Sequence, residues 1–138
     1  MSLLKPTAPL FAAAALAAGP SAAATIAEQF AADRLAYFQA GNVEALASQY
    51  APDAIVITPM GVLRGRDQIA GMIEGIVKEF AQPGVAFSLL TSVAEGDIVS
   101  FTWAATTNAN VYELGAETYV LKDGLAQYQT FAAKVAPR

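Results

Sequence analysis

Glu117, Tyr119 and Leu121 alternate at a spacing of two in a β-branched and aromatic stretch, so on a strand a carboxyl and a phenol share one face while Thr118 and Val120 take the other. Such a pair can move a proton or hold a polar ligand atom. Histidine and cysteine are both absent from the 138 residues. That removes zinc sites built on them, Ser-His-Asp triads, thiol nucleophiles and disulfides, and leaves Asp, Glu, Tyr, Lys and Arg as the only acids and bases. Gln127, Gln129 and Phe131 form a second alternating set, opposed by Tyr128 and Thr130. Two glutamines near a glutamate are convergent hydrogen-bonding groups if that face is enclosed, and an ordinary solvated edge if it is not.

Other side chains have two readings each. Arg34 falls seven residues after Ala27 on an apolar helical stripe, where a guanidinium must find a partner or reach solvent. Trp103 shares its parity with Phe101 and Ala105 and reads first as core or dimer contact, second as a ligand platform. Met60, Met72 and Phe80 read as core or pocket wall, and Tyr112 as a hydrogen-bond donor. Asp53 reads as a helix end or turn anchor. Arg64 and Arg66 flank Gly65 as solvated turn charges, with an anion at a helix start as the alternative.

The elements that must carry these residues follow from periodicity. Ala27, Phe30, Ala31, Leu35 and Phe38 make a helical stripe, with Thr25 and Glu28 placed as a capping box and Gly41 as the stop. Asn42 caps a second helix through Val43, Leu46, Ala47 and Tyr50, ended by Pro52. Residues 54–58 are β-branched and closed by Pro59, which suits a strand. Ile69, Met72, Ile73, Ile76, Val77 and Phe80 predict a third helix, with Asp67 in its first turn. Four long strands over 85–95, 98–107, 111–121 and 125–135, joined by tight turns at Gly96-Asp97, 108–110 and Asp123-Gly124, make an antiparallel meander.

Composition bounds the answer to one domain. The length suits a single core, and 55% hydrophobic with 14% charged residues is a globular profile. The net charge of −4 and four scattered arginines offer no basic stripe for phosphates, so nucleic acid is not expected as a partner. No charged residue stands between Lys5 and Glu28, and residues 10–18 form a short apolar run followed by Gly19-Pro20-Ser21 and Ala22-Ala23-Ala24. Residues 1–24 therefore read as a signal peptide cleaved before Thr25, too short for a membrane span, with residues 25–138 the mature domain, periplasmic or secreted and free of the membrane.

The order of helix, helix, strand, helix and four long strands resembles the nuclear transport factor 2-like superfamily, which includes ketosteroid isomerases and SnoaL-like cyclases. The text Ala40-Gly41-Asn42-Val43-Glu44-Ala45-Leu46 leading to Tyr50-Ala51-Pro52-Asp53-Ala54, the start Gly65-Arg66-Asp67-Gln68-Ile69, and Asp123-Gly124 before the last strand carry the likeness over residues 26–135. It implies an α+β fold, three N-terminal helices packed on a strongly curved antiparallel sheet, a cystatin-like cone with an internal pocket. By that likeness Thr58 stands where a ketosteroid isomerase has its base, Arg34 where it has a tyrosine, and Glu117 where it has a neutral acid. A threonine without histidine is a poor proton acceptor, so steroid-type isomerisation is disfavoured. The expectation is a domain binding a small apolar molecule through Glu117, Arg34 and Thr58 as polar contacts. Tyr119, Gln127, Gln129, Met60, Met72, Phe80, Trp103 and Tyr112 would stand around the ligand. Any catalysis would be cofactor-free and metal-free proton transfer of isomerase or lyase type. An Arg34–Glu117 ion pair is expected within the cone. The alternatives are a non-catalytic binder or a dimeric interaction module, the likeness implying a homodimer through an outer sheet face bearing Thr118, Val120, Tyr128 and Thr130.

Overall fold

The computed structural model describes residues 22–138. The expected leader lies outside the described residues except for Ala22–Ala24, which are exposed. Among the described residues no helix is long and apolar enough to cross a membrane.

Helix α1 spans Ile26–Gln39 and opens on the expected capping box, with the Glu28 amide donating to Thr25 Oγ1 at 3.1 Å and the Thr25 amide donating to Glu28 Oε2 at 2.8 Å. Helix α2, Val43–Ser48, is capped by Asn42 and is shorter than predicted. Tyr50 belongs instead to strand β1, Tyr50–Thr58. The cause is Pro52, whose ring drives Ala51 into extended backbone and so ends the helix several residues upstream of the proline itself. Strand β2, Gly61–Arg64, turns back on β1, and helix α3, Arg66–Phe80, follows. The meander comprises β3 (Ala86–Glu95), β4 (Ile98–Thr106), β5 (Asn110–Lys122) and β6 (Leu125–Pro137).

All six strands form one sheet in the order β2-β1-β6-β5-β4-β3. The one pairing that is not antiparallel is β1 with β6, in which Val56 faces Gln129. Three single-residue insertions break the pairing, at Leu90 on β3, Glu113 on β5 and Gln127 on β6. Bulges of this kind bend the strand that carries them and raise its twist, which curls the sheet around the helices. The three helices pack on its concave side, giving the predicted α+β cone.

One end of the cone is solid. Phe30, Leu46, Tyr50, Val56, Val99, Phe101 and Tyr119 are almost wholly buried there, with Tyr119 tilted against Phe30 at 5.3 Å and edge-on to Phe101 at 6.1 Å. Toward the other end the aromatic side chains line a hollow instead of filling it. Trp103 stacks near Phe131 at 6.3 Å, meets Phe80 edge-on at 5.8 Å, and lies over the backbone of Gly115, where a Cβ would come within 2.2 Å of the indole. A strand glycine is thus what lets the chain's single tryptophan lie flat against the wall.

Candidate functional site

The hollow is a cavity of about 690 Å³, within the range of small-molecule sites. Its wall is mostly aliphatic and aromatic. Arg34, Thr58, Tyr112, Glu117 and Gln129 are its main polar contributors.

Three of these converge at the packed end. α1 carries Arg34 over the middle of the sheet, while Glu117 on β5 and Gln129 on β6 are diagonal neighbours on the concave face, since Tyr119 pairs with Gln129 and Glu117 with Phe131. The guanidinium lies between two phenol rings, 5.1 Å from the centroid of Tyr50 and 5.2 Å from that of Tyr119. Its Nε donates to the Tyr119 hydroxyl at 3.0 Å, Nη2 to the Tyr50 hydroxyl at 2.9 Å, and Nη1 to the Leu46 carbonyl at 3.1 Å and to Gln49 Oε1 at 3.5 Å. Gln49 is in turn fixed by donating to the Phe30 carbonyl at 3.2 Å. The Tyr119 hydroxyl donates in turn to Glu117 Oε1 at 2.7 Å, and the Tyr50 hydroxyl donates to Gln129 Oε1.

The expected Arg34–Glu117 ion pair is therefore corrected. The only ion pair among the described residues is Lys134–Glu113 at the surface, and the Tyr119 hydroxyl stands between Arg34 and Glu117. The physical reason is parity. Tyr119 shares the strand face with Glu117, and its longer side chain reaches the guanidinium first. Burial opposes charge on Arg34, but the oxygens of Tyr119 and Tyr50 and the Glu117 carboxyl outweigh it and hold the guanidinium's pKa above its ordinary value. Burial pushes both phenols up, more than the neighbouring arginine pulls them down, so Tyr50 and Tyr119 keep their protons at neutral pH.

The remaining expected site residues are placed as follows. Thr58 lines the cavity, but its hydroxyl is engaged in the β1–β2 turn, donating to the Gly61 carbonyl at 3.0 Å and accepting from the Met60 amide at 3.1 Å. Met60 is 98% exposed at that turn, on the rim. Met72, Phe80 and Trp103 are in the wall. Tyr119 is fully buried behind it, acting through its hydroxyl. Gln127 is the bulge residue of β6, so it departs from the alternation that carries Gln129 inward and donates to Asp53 at 3.2 Å. Tyr112 lines the cavity and donates to Glu79 Oε2 at 2.9 Å. Thr107 and the Asn110 carboxamide also donate to Glu79, at 2.6 and 2.8 Å, so this carboxylate ties the end of α3 to the β4–β5 turn. Burial raises the Glu79 pKa, yet the three donors outweigh it and leave it below the usual glutamate range. Arg66 donates to the Tyr50 carbonyl through Nε at 3.1 Å and Nη2 at 2.5 Å, which binds α3 to β1.

Two members of the polar cluster, Tyr50 and Gln49, are absent from the site residues singled out by the sequence. Helical spacing puts Tyr50 on the face of the second helix, and Pro52 is the cue in the sequence that the chain there is extended instead. Gln49 has no such cue, since its role depends on Arg34 crossing above it.

The profile of the SnoaL-like domain matches residues 31–128, and the chain belongs to that family. No curated protein matches the chain significantly by sequence. Among solved structures, a nuclear transport factor 2-like protein of unknown function from Cytophaga hutchinsonii is similar, with TM-score 0.65 at 13% identity, over 83% of this chain and 94% of that one. A SnoaL-like protein of unknown function from Burkholderia thailandensis gives 0.63 at 19% over 79% and 94%. A candidate ketosteroid isomerase from Kribbella flavida gives 0.61 at 21% over 81% and 82%. At these identities the likeness establishes the nuclear transport factor 2-like fold.

Proposed function

We propose that the chain binds a small, largely apolar molecule in the cone. One observation carries the reading: a cavity of about 690 Å³ has an aromatic and aliphatic wall and a cluster of hydrogen-bonding groups, Glu117, Gln129 and Arg34, at its inner end. Apolar surface supplies affinity, and a few fixed polar groups supply orientation. The test is thermal unfolding against a panel of steroids and aromatic polyketides, because a ligand of the native state raises apparent stability by mass action. At least one compound raises the midpoint, and Ala133→Trp, which fills the cavity, abolishes the rise. A panel with no effect contradicts the reading.

A second reading, proton-transfer catalysis of isomerase, cyclase or lyase type without metal or organic cofactor, is favoured by the second oxygen of Glu117. Its first oxygen accepts from Tyr119, and no protein donor among the described residues occupies the other. On this reading Glu117→Gln lowers turnover by a much larger factor than it weakens ligand binding.

The outer face of the sheet supports pairing with a second copy of the chain. Ile57, Thr130, Thr118, Ser100 and Val93 lie in register across five strands, and the row Tyr128, Val120, Ile98 runs beside it, so this central area carries no charge. Tyr128 is 52% exposed and Val120 40%. Sedimentation gives a dimer on this proposal, and Thr118→Arg converts it to monomer. Export rests on the leader pattern of residues 1–24. Expression in a bacterial host of the full chain yields a product beginning at Thr25 if the pattern is read as a signal.

A further inference from the structure

The inner end of the cavity has a fixed hydrogen-bond polarity that follows from counting donors. Arginine has no acceptor, so at each phenol it is Arg34 that donates. A phenol has one proton, and with its oxygen engaged by the guanidinium that proton must go elsewhere. Among the described residues the only acceptor for the Tyr119 proton is Glu117 Oε1, and for the Tyr50 proton it is Gln129. A proton arriving from Tyr50 requires the carbonyl oxygen of the Gln129 carboxamide, which turns the amide nitrogen the other way.

Gln129 is 3% exposed and lines the cavity, and its Nε2 has no protein partner among the described residues. Yet no side-chain nitrogen or oxygen there is both buried from all contact and unpartnered, so this NH2 reaches the cavity space. Glu117, its diagonal neighbour across β5 and β6, lines the same cavity, and its second oxygen has no protein donor among the described residues. Arg34 contributes little directly, because four of its five N–H groups are already spent on Tyr119, Tyr50, Leu46 and Gln49.

We infer that the cavity selects a neutral hydroxyl on the end of an apolar body, an alcohol, phenol or enol that donates to Glu117 and accepts from the Gln129 amide. An ether can use only the donor. A carboxylate meets the Glu117 carboxylate and finds at most one free guanidinium N–H, so the arginine does not make this an anion site. The inference rests on the cavity-binding reading and specifies its ligand.

The test is calorimetric titration of the protein at neutral pH with 2-naphthol, 2-methoxynaphthalene and 2-naphthoate, three probes with one apolar body. 2-Naphthol binds at least about tenfold more tightly than either of the others, the scale of one satisfied hydrogen bond to a charged group. In Glu117→Gln the preference over 2-naphthoate shrinks to less than about threefold, because the repelling oxygen is gone. Equal binding of all three probes, or tighter binding of 2-naphthoate, overturns the inference and leaves the cavity reading standing. Binding of none of them overturns both.

Discussion

Arg34 and Glu117 face the same cavity without touching, because the Tyr119 hydroxyl stands between them, 3.0 Å from Nε and 2.7 Å from the carboxyl oxygen. Charge on α1 is thereby coupled to charge on β5 through one phenol. Tyr50 makes the equivalent link to Gln129, so a single guanidinium orders both polar side chains, Glu117 and Gln129, at the inner end of the cavity.

Removing that guanidinium strands two buried phenols. Arg34→Met keeps the length of the side chain but leaves the Tyr50 and Tyr119 oxygens without their charged donor, and lowers stability by on the order of 3 kcal/mol. Denaturant unfolding measures it. A double-mutant cycle with Glu117→Gln gives a coupling clearly different from zero, and Tyr119→Phe, which removes the bridge, reduces it.

Gly115→Ala sets a methyl into the Trp103 indole, which cannot retreat without leaving the β5 surface. The cost of such overpacking is about 1–3 kcal/mol. The tryptophan emission spectrum changes with it, since Trp103 is the only fluorophore of its kind in the chain.

The acid limb of stability reports on Glu79. Its folded pKa is lowered, so the carboxylate stabilises the fold above the ordinary glutamate pKa, and that contribution is lost as pH falls through the depressed folded value. Glu79→Gln is accordingly less stable than wild type at neutral pH, with the difference narrowing in acid. Unfolding midpoints across the acid range check this.

At the alkaline end burial and the Glu79 carboxylate push Tyr112 up to about 12. A phenol held protonated by the fold stabilises it below the ordinary tyrosine pKa of about 10, and the contribution disappears as pH rises from there toward the folded value. Ultraviolet titration therefore shows a late-ionising fraction that includes Tyr50, Tyr112 and Tyr119, and unfolding releases it.

Much of this is legible in the chain because it is local. The capping box at Thr25 and Glu28, the stripe of α3 and the turns at Gly96 and Asp123-Gly124 are written in adjacent residues. Asp123 has a positive φ of 53° and Gly124 of 78°, as a two-residue hairpin turn requires. Counting in twos puts Glu117 with Tyr119 on one strand and Gln129 with Phe131 on the next, but only the family resemblance implies that the Glu117 face turns into the cone. Gln127 departs from that count, since the bulge that turns it aside arises from how β6 pairs with both neighbours. The Tyr119 bridge and the seat of Trp103 on Gly115 were equally hidden, because each is a contact between distant segments that periodicity does not encode.

The cavity between the helices and the sheet is the proposed seat of the ligand. Two-dimensional ¹⁵N NMR with 2-naphthol added follows the Trp103 indole N–H and the Gln129 side-chain NH2 directly. Both signals shift together and saturably, while the backbone amides of Val120 and Tyr128 on the outer face stay in place. Shifts on the outer face alone, or none at the indole and amide, contradict the account.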